Sequence, residues 1–151
     1  MSMKNDFGNK MAKLLPKIMR EFHLRVKSII TNEQLSLSQI VILEYLFEKK
    51  SSNMSEIATI LQLTMGRATG IVDDMIAKKL IKRERDANDR RIVKVCLLKK
   101  GEEMAEKIKM ERRESFNSMF SILTEEERET YLNIITKVCN SFGEKKKDEE
   151  S

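Results

Sequence analysis

Hydrophobic residues recur every three or four positions over most of this chain, a spacing that predicts helices. Residues 6–31 keep this spacing over a longer span than a small core needs. Pro16 lies inside that span and should kink the helix or mark where its regular part begins. Residues 102–122 and 125–142 predict two further helices, the first of them long.

Four helix-start signals lie after residue 35, in each of which a polar side chain caps the first backbone N–H groups. They are Ser36 with Gln39, Asn53 with Glu56, Thr64, and Thr124 with Glu127. They predict four helices: one over 37–47, a short one that opens after Asn53 and ends near residue 62, one over 64–74, and one from 125 onward. Residues 80–85 and 91–98 instead suit strands, and 93–97 alternates with a period of two. Two short helices followed by a hairpin predict a winged helix-turn-helix.

Charge is concentrated around this hairpin. Residues 78–100 hold ten basic side chains and three acidic ones, a net charge of +7 in a chain whose formal charge is +5. A basic two-stranded ribbon with arginines after its tip is suited to bind a polyanion that has grooves. We therefore interpret the hairpin as a DNA-binding wing.

Composition argues against several other classes of protein. The longest apolar run, residues 40–43, is too short to cross a bilayer, and the N-terminus lacks a signal-peptide core. We expect a cytoplasmic protein without a membrane partner. Two distant cysteines and one histidine predict no disulfide framework, metal site or cofactor, and no catalytic constellation is present. The sequence therefore does not predict an enzyme.

The order of these elements resembles the MarR (multiple antibiotic resistance regulator) family. Asp86-Ala87-Asn88-Asp89-Arg90-Arg91 is similar to the family's wing signature, and residues 71–75 leading into 78–81 are a second match. Lys79 stands where the family usually has glycine, and Leu98 where it usually has threonine. Both departures touch helix ends rather than DNA-facing positions.

The predicted fold is mainly α with a small β-hairpin wing. Residues 1–151 form one MarR-like domain: a winged helix-turn-helix part over about 33–100, dimerisation helices over 6–31 and 101–143, and a flexible tail over 144–151. The terminal helices show more apolar periodicity than one small core covers, which favours a homodimeric bundle over internal packing alone. We predict burial across the dimer interface for Ile18, Phe22, Ile135 and Phe142.

Two segments are the candidate DNA contacts. The recognition helix contributes Thr64, Met65, Gly66, Arg67, Thr69 and Gly70, and the wing contributes Asn88, Asp89, Arg90 and Arg91. Arg67 is placed to read guanine, and the wing arginines are placed to enter the minor groove. Asp89 is expected to pair with and aim an arginine, Arg91 above all. The alternatives are a solvated surface helix and a solvated hairpin tip.

The resemblance implies a homodimeric repressor that binds double-stranded DNA at a pseudo-palindromic operator. Family members often bind small aromatic acids between their dimerisation and DNA-binding regions, which implies a small aromatic or phenolic effector that no residue here identifies. The alternative is a winged-helix module that binds protein or non-specific nucleic acid in an architectural role.

Overall fold

A computed structural model describes the backbone of residues 3–149 and the side chains of residues 6–27 and 34–142. The fold is mainly helical with a small antiparallel sheet, as the sequence predicts. Within the described residues it has six helices and three strands. They are α1 (Met3–Glu33), α2 (Leu37–Lys49), β1 (Ser51–Ser52), α3 (Met54–Leu61), α4 (Met65–Ala77), β2 (Ile81–Arg85), β3 (Val93–Leu97), α5 (Lys99–Met119) and α6 (Glu125–Glu149).

The chain divides into two compact units, one up to Ser115 and one from Phe116 onward. The core of the first unit lies among α2, α3, α4 and the start of α5. The side chains that fill it include Ile40, Leu43, Leu46, Ile57, Val72, Met75, Leu80, Ile81, Val95 and Ile108. In the second unit, the Phe120 ring packs on Tyr131 with centroids 5.1 Å apart, next to the turn that leads into α6.

The predicted capping boxes are confirmed. The Ser36 hydroxyl accepts the Gln39 N–H while the Gln39 side chain accepts the Ser36 N–H. Asn53 and Glu56 make the same reciprocal pair at α3. At the second unit's turn, the Glu127 carboxylate accepts the Thr124 N–H at 2.8 Å. These local signals fix helix starts because each needs only neighbouring residues.

The sheet has the order β1-β3-β2, and both pairings are antiparallel. In the wing, Ile81 pairs with Leu97 and Arg85 with Val93. The two-residue strand β1 adds Ser51 opposite Cys96, so β3 becomes the central strand of a three-stranded sheet whose edges are β1 and β2. Sequence reasoning missed β1, because two serines carry no alternating pattern.

Two helices change part of the expectation. Helix α1 continues on both sides of Pro16, so of the two roles expected for this residue the start of the regular helix is wrong, and the kink stays a prediction. Helix α5 begins at Lys99 rather than after Gly101, and Gly101 lies inside its first turn. Leu98 has no side-chain acceptor, but its carbonyl accepts the Glu102 N–H at 2.9 Å and so starts the helix.

The end of α4 adopts the backbone turn that usually requires glycine. Lys79 has a φ of 60°, in the left-handed region. Its N–H donates to the Ile76 carbonyl at 2.9 Å, and the Leu80 N–H donates to the Met75 carbonyl at 3.0 Å. This is the Schellman pattern, closed by burial of Met75 and Leu80 in the core. The family's turn is therefore kept with a lysine, at a conformational cost of about 1–2 kcal/mol.

The base of the wing packs directly on α5. The Leu80 carbonyl accepts the Leu98 N–H at 2.9 Å, which closes the hairpin. A Cβ atom added to Gly101 would lie only 2.0 Å from the Leu80 oxygen. Glycine is required here because α5 approaches the wing backbone more closely than any side chain permits.

We predict that Gly101→Ala destabilises the fold by about 3 kcal/mol or more, because its methyl group meets a backbone oxygen that cannot move without opening the hairpin. Gly70→Ala is the matched control. Gly70 is also helical, and a Cβ there meets nothing within 4 Å. It should raise stability by about 0.5–1 kcal/mol. Urea unfolding followed by circular dichroism measures both, and equal effects would contradict the packing described at Gly101.

Candidate nucleic-acid interface

Helix α4 is built to present one face to a partner. The Thr64 hydroxyl accepts the Arg67 N–H at 3.4 Å and caps the helix, as predicted. Ala68, Val72 and Met75 face the core. On the opposite side the first turn is open, and the Met65 side chain is 49% exposed.

The open face of α4 carries two glycines and a free arginine. A Cβ at Gly66 or Gly70 would meet nothing within 4 Å, so neither is required by packing in the described chain. The exposed Arg67 guanidinium has no hydrogen bond or ion pair to the side chains that the structure describes. Thr69 is half-buried, and its hydroxyl donates to the Met65 carbonyl at 2.8 Å. Arg67 thus keeps all its side-chain donors for a partner, whereas Thr69 keeps only acceptor lone pairs.

An ion pair joins this helix to the wing. Arg83 on β2 meets Asp73 on α4, with Nη2 2.7 Å from Oδ1. Both side chains are partly exposed, so the pair orients two elements more than it stabilises the fold. In the sequence, Asp73 was noted only as part of residues 71–75, which resemble the MarR family. No signal along the sequence indicated its role, because the pair depends on how α4 and the wing come together.

The backbone of the wing tip is organised by Asp86. Its Oδ1 accepts the N–H groups of Asn88 and Asp89 at 2.8 and 3.2 Å, and its Oδ2 lies 2.5 Å from Lys94 Nζ. The Lys94 ammonium, then the two N–H groups, hold the pKa of the Asp86 carboxyl at about 2. Asp86 was not among the predicted site residues, although it opens the wing signature.

Asp89 acts differently from the expectation. Its Oδ1 accepts the backbone N–H of Arg91 at 3.0 Å, and among the described residues it makes no ion pair with an arginine. It therefore shapes the tip backbone instead of aiming a guanidinium. The Ile92 N–H, which donates to the Asp89 carbonyl at 3.0 Å, closes the same turn.

The basic residues of the wing separate into two groups. Near its base and middle, Lys82 pairs with Glu84, Arg83 with Asp73, and Lys94 with Asp86. Toward the tip, three exposed arginines have no ion pair within the described part of the chain: Arg85, Arg90 and Arg91. The positive charge that remains uncompensated is therefore concentrated at the tip, and it includes Arg85, which sequence reasoning did not single out.

Helices α3 and α4 followed by the β2–β3 hairpin form a winged helix-turn-helix. Comparisons with known proteins agree with this fold. The model of the MarR family matches residues 35–93. The HTH-type transcriptional regulator YwhA of Bacillus subtilis is 31% identical over 98 residues, which are 65% of this chain and 70% of that protein. This chain belongs to the MarR family. It is accordingly a DNA-binding transcriptional regulator.

Other relatives and solved structures match over most of the length of this chain. The HTH-type transcriptional regulator YpoP of Bacillus subtilis is 26% identical over 91% of this chain and 97% of its own. A MarR family protein from Bacillus stearothermophilus has a TM-score of 0.85 at 25% identity, covering 94% and 99% of the two chains. An S. aureus MepR mutant bound to an oligodeoxyribonucleotide has a TM-score of 0.66 at 26% identity, covering 87% and 96%.

The predicted dimerisation residues of this MarR-family chain differ in exposure. Ile18, Ile135 and Phe142 are exposed, at 37%, 40% and 62%. Phe22 is partly buried against the core of the first unit, with the Arg112 guanidinium 6.0 Å from its ring centroid. Exposed apolar side chains also run along both terminal helices: Phe7, Met11, Leu14, Leu15 and Met19 on α1, and Leu132, Ile134 and Val138 on α6.

The first unit also contains a surface cavity of about 370 Å³ between α2, α3 and α5. Tyr45 and Phe47 contribute aromatic rings, and Lys109 and Arg112 contribute cations. Arg112 forms an ion pair with Glu44. Over the described residues, no helix is long and apolar enough to cross a membrane, and no group of acidic, histidine and cysteine side chains is arranged to hold a metal ion.

We predict that the contribution of Asp86 to stability is pH-dependent in acid. Its pKa falls from 3.8 unfolded to about 2 folded, so its stabilisation is complete above about pH 5 and is lost as the pH falls through about 2. The gap in urea midpoint between the wild type and Asp86→Asn should therefore shrink between about pH 5 and pH 2. A gap that stays constant over this range would contradict the role given to Asp86.

Proposed function

We propose that this protein is a ligand-responsive repressor that binds a pseudo-palindromic operator as a homodimer in the cytoplasm. The observation that carries the DNA contacts is the location of uncompensated positive charge. Arg67 on α4 and the wing-tip arginines have no ion-pair partner within the described chain, while Lys82, Arg83 and Lys94 on the wing strands are paired. A wing that leaves only its outermost arginines unpaired suits a phosphate-lined groove.

The two arginine sites are assigned different tasks. Arg67 projects from the open face of α4, where Gly66 and Gly70 let the helix backbone approach DNA, so it is placed to read base edges in the major groove. Arg90 and Arg91 are placed to meet phosphates and the minor groove, together with Asn88. The S. aureus MepR structure, whose protein is bound to an oligodeoxyribonucleotide, supports the use of this fold on DNA.

A homodimer follows from the apolar faces of the terminal helices. On α6, apolar side chains at Leu132, Ile135 and Phe142 are exposed, whereas Asn133 and Lys137 belong to a polar face. Exposed apolar faces of this length mark an interface. Two-fold symmetry would then place two recognition helices one DNA turn, about 34 Å, apart.

The proposed effector is a small aromatic or phenolic acid held in the cavity between α2, α3 and α5. Tyr45 and Phe47 offer ring faces for stacking, and Lys109 offers a cation for a carboxylate, whereas Arg112 is already paired with Glu44. Binding there, next to α5, would shift the helices that carry the DNA-reading surface. Because the family consists of transcriptional regulators, we assign the protein no catalytic reaction.

We predict that the protein is a dimer at micromolar concentration and that Ile135→Glu converts it to a monomer, because a buried unpaired carboxylate opposes association. Asn133→Glu adds the same charge to the polar face of α6 and should leave the dimer intact. Light scattering measures all three proteins. A monomeric wild type, or equal dissociation by both variants, would remove the proposed interface.

We predict that Arg67→Ala lowers sequence specificity and that Arg90→Ala leaves it unchanged, measured by fluorescence anisotropy at several salt concentrations. The probes are the duplex that the wild type selects from a randomised library and a scrambled duplex. Arg67→Ala should cost about 1–3 kcal/mol on the selected duplex and relax discrimination at one or two base pairs. Arg90→Ala should weaken both duplexes evenly and reduce the salt slope by about one unit for each phosphate that the side chain neutralises.

Arg113→Ala is the matched control for this experiment, because it removes an exposed arginine from α5, away from both DNA-contacting segments. If Arg90→Ala changes neither affinity nor slope, the wing does not touch DNA. If Arg67→Ala instead weakens both duplexes evenly, the alternative of a non-specific architectural module is favoured.

A further inference from the structure

Gln39 is a buried polar side chain at the junction of α2 and α4. It is 5% exposed, and both ends of its amide are used. Its Oε1 accepts the Ser36 N–H at 3.0 Å, as part of the capping box. Its Nε2 donates to Asp74 Oδ2 on α4 at 2.5 Å. One amide therefore links the start of α2 to the recognition helix.

Lys78 extends this link to the turn that follows α1. Its ammonium lies 3.1 Å from Asp74 Oδ2 and 3.3 Å from Gln39 Oε1, and it donates to the Gln34 carbonyl at 2.9 Å. The three donors of the ammonium thus have three acceptors. The α1–α2 turn, the first turn of α2 and the last turn of α4 are held by one polar network.

The network lies beside the proposed base-reading surface. Gln39 and Asp74 line the same groove as Arg67 and Gly70. Asp74 follows Arg67 by seven positions, two helical turns, and therefore shares its face. Its carboxylate is about half exposed, and hydrogen bonds first from Lys78 and then from Gln39 lower its pKa.

A carboxylate at this position is unfavourable for DNA binding in general, because it opposes the phosphates. Its geometry offers a compensating role, since it is the acceptor that Gln39 and Lys78 share. If the network only stabilised the fold, an exposed ion pair of this kind would contribute little. Its contribution should instead appear in the orientation of α4.

We propose that Gln39, Asp74 and Lys78 are positioning residues that hold the recognition helix against the α1–α2 turn and so fix the angle at which Arg67 meets the bases. This rests on the proposed function of Arg67. It also gives any movement of α1 a direct polar connection to the recognition helix. None of the three residues needs to touch a base for the network to affect specificity.

The test rests on the fact that the two possible roles of Asp74 predict different changes in DNA binding. Removing the Asp74 charge without any change in orientation should raise affinity for every DNA. Loss of positioning should instead lower the ratio of affinities for the selected and scrambled duplexes. Glu84→Gln is the matched control, because it neutralises a carboxylate paired with Lys82 on the wing, at 2.8 Å, without touching the network.

The variants are Asp74→Ala, Gln39→Met and the double variant. Because Asp74 is half exposed, Asp74→Ala leaves the core intact and should fold. We expect the affinity ratio to fall about tenfold in Asp74→Ala, which is roughly the effect of removing one base-reading side chain. We expect the double variant to fall no further, because both changes break one network. Thermal unfolding of each protein shows whether a fall in the affinity ratio is caused by partial unfolding of the variant.

Two outcomes overturn the inference. The first is an unchanged ratio in Asp74→Ala, with affinity for both duplexes raised as in Glu84→Gln. The second is additive losses in the double variant. Both require that the wild type prefers its selected duplex. If the wild type shows no such preference, the proposed sequence-specific function fails, and the positioning role fails with it.

Discussion

The backbone of Leu80 is the point where the recognition helix, the wing and α5 are fixed to one another. Its N–H closes the last turn of α4 on Met75, and its carbonyl closes the hairpin on Leu98. The same carbonyl lies where a side chain on Gly101 would have to be. Because three elements meet at one residue, the wing cannot change its angle to α4 without disturbing α5. The proposed DNA-binding surface is thus built as one rigid piece.

On this rigid piece, charge pairing decides which basic residues remain available. The ion pairs of Lys82, Arg83 and Lys94 each use a carboxylate on or next to the wing, and Arg83 also joins β2 to α4 through Asp73. What remains on the wing and α4 is a tip of unpaired arginines and one arginine on the open face of α4, while Lys79, Lys99 and Lys100 beside the wing base also have no ion pair among the described residues. A net charge of +7 therefore describes the region poorly, since its effect depends on where charge stays uncompensated.

Local and non-local features differ in how far the sequence predicts them. The capping residues Ser36, Asn53 and Thr64 were predictable, because a cap involves residues three positions apart. The left-handed turn at Lys79 was identified only by its place in the family pattern, since a lysine gives no sequence signal for this backbone conformation. The ion pair between Asp73 and Arg83 and the Gln39 network were not predictable, because they depend on how α2, α4 and the wing come together. The DNA-contact residues themselves remain predictions.

The hydrogen bonds of Asp86 have a thermodynamic consequence for recognition. A loop that becomes ordered only when it binds loses about 1–2 kcal/mol of backbone entropy per residue, and that loss is subtracted from affinity. Here the amides of Asn88, Asp89 and Arg91 are already held by two carboxylates before any DNA arrives. Only the long arginine side chains remain to be immobilised. Entry of the wing into a groove should therefore resemble the docking of a preformed probe, with little change in heat capacity arising from the tip itself.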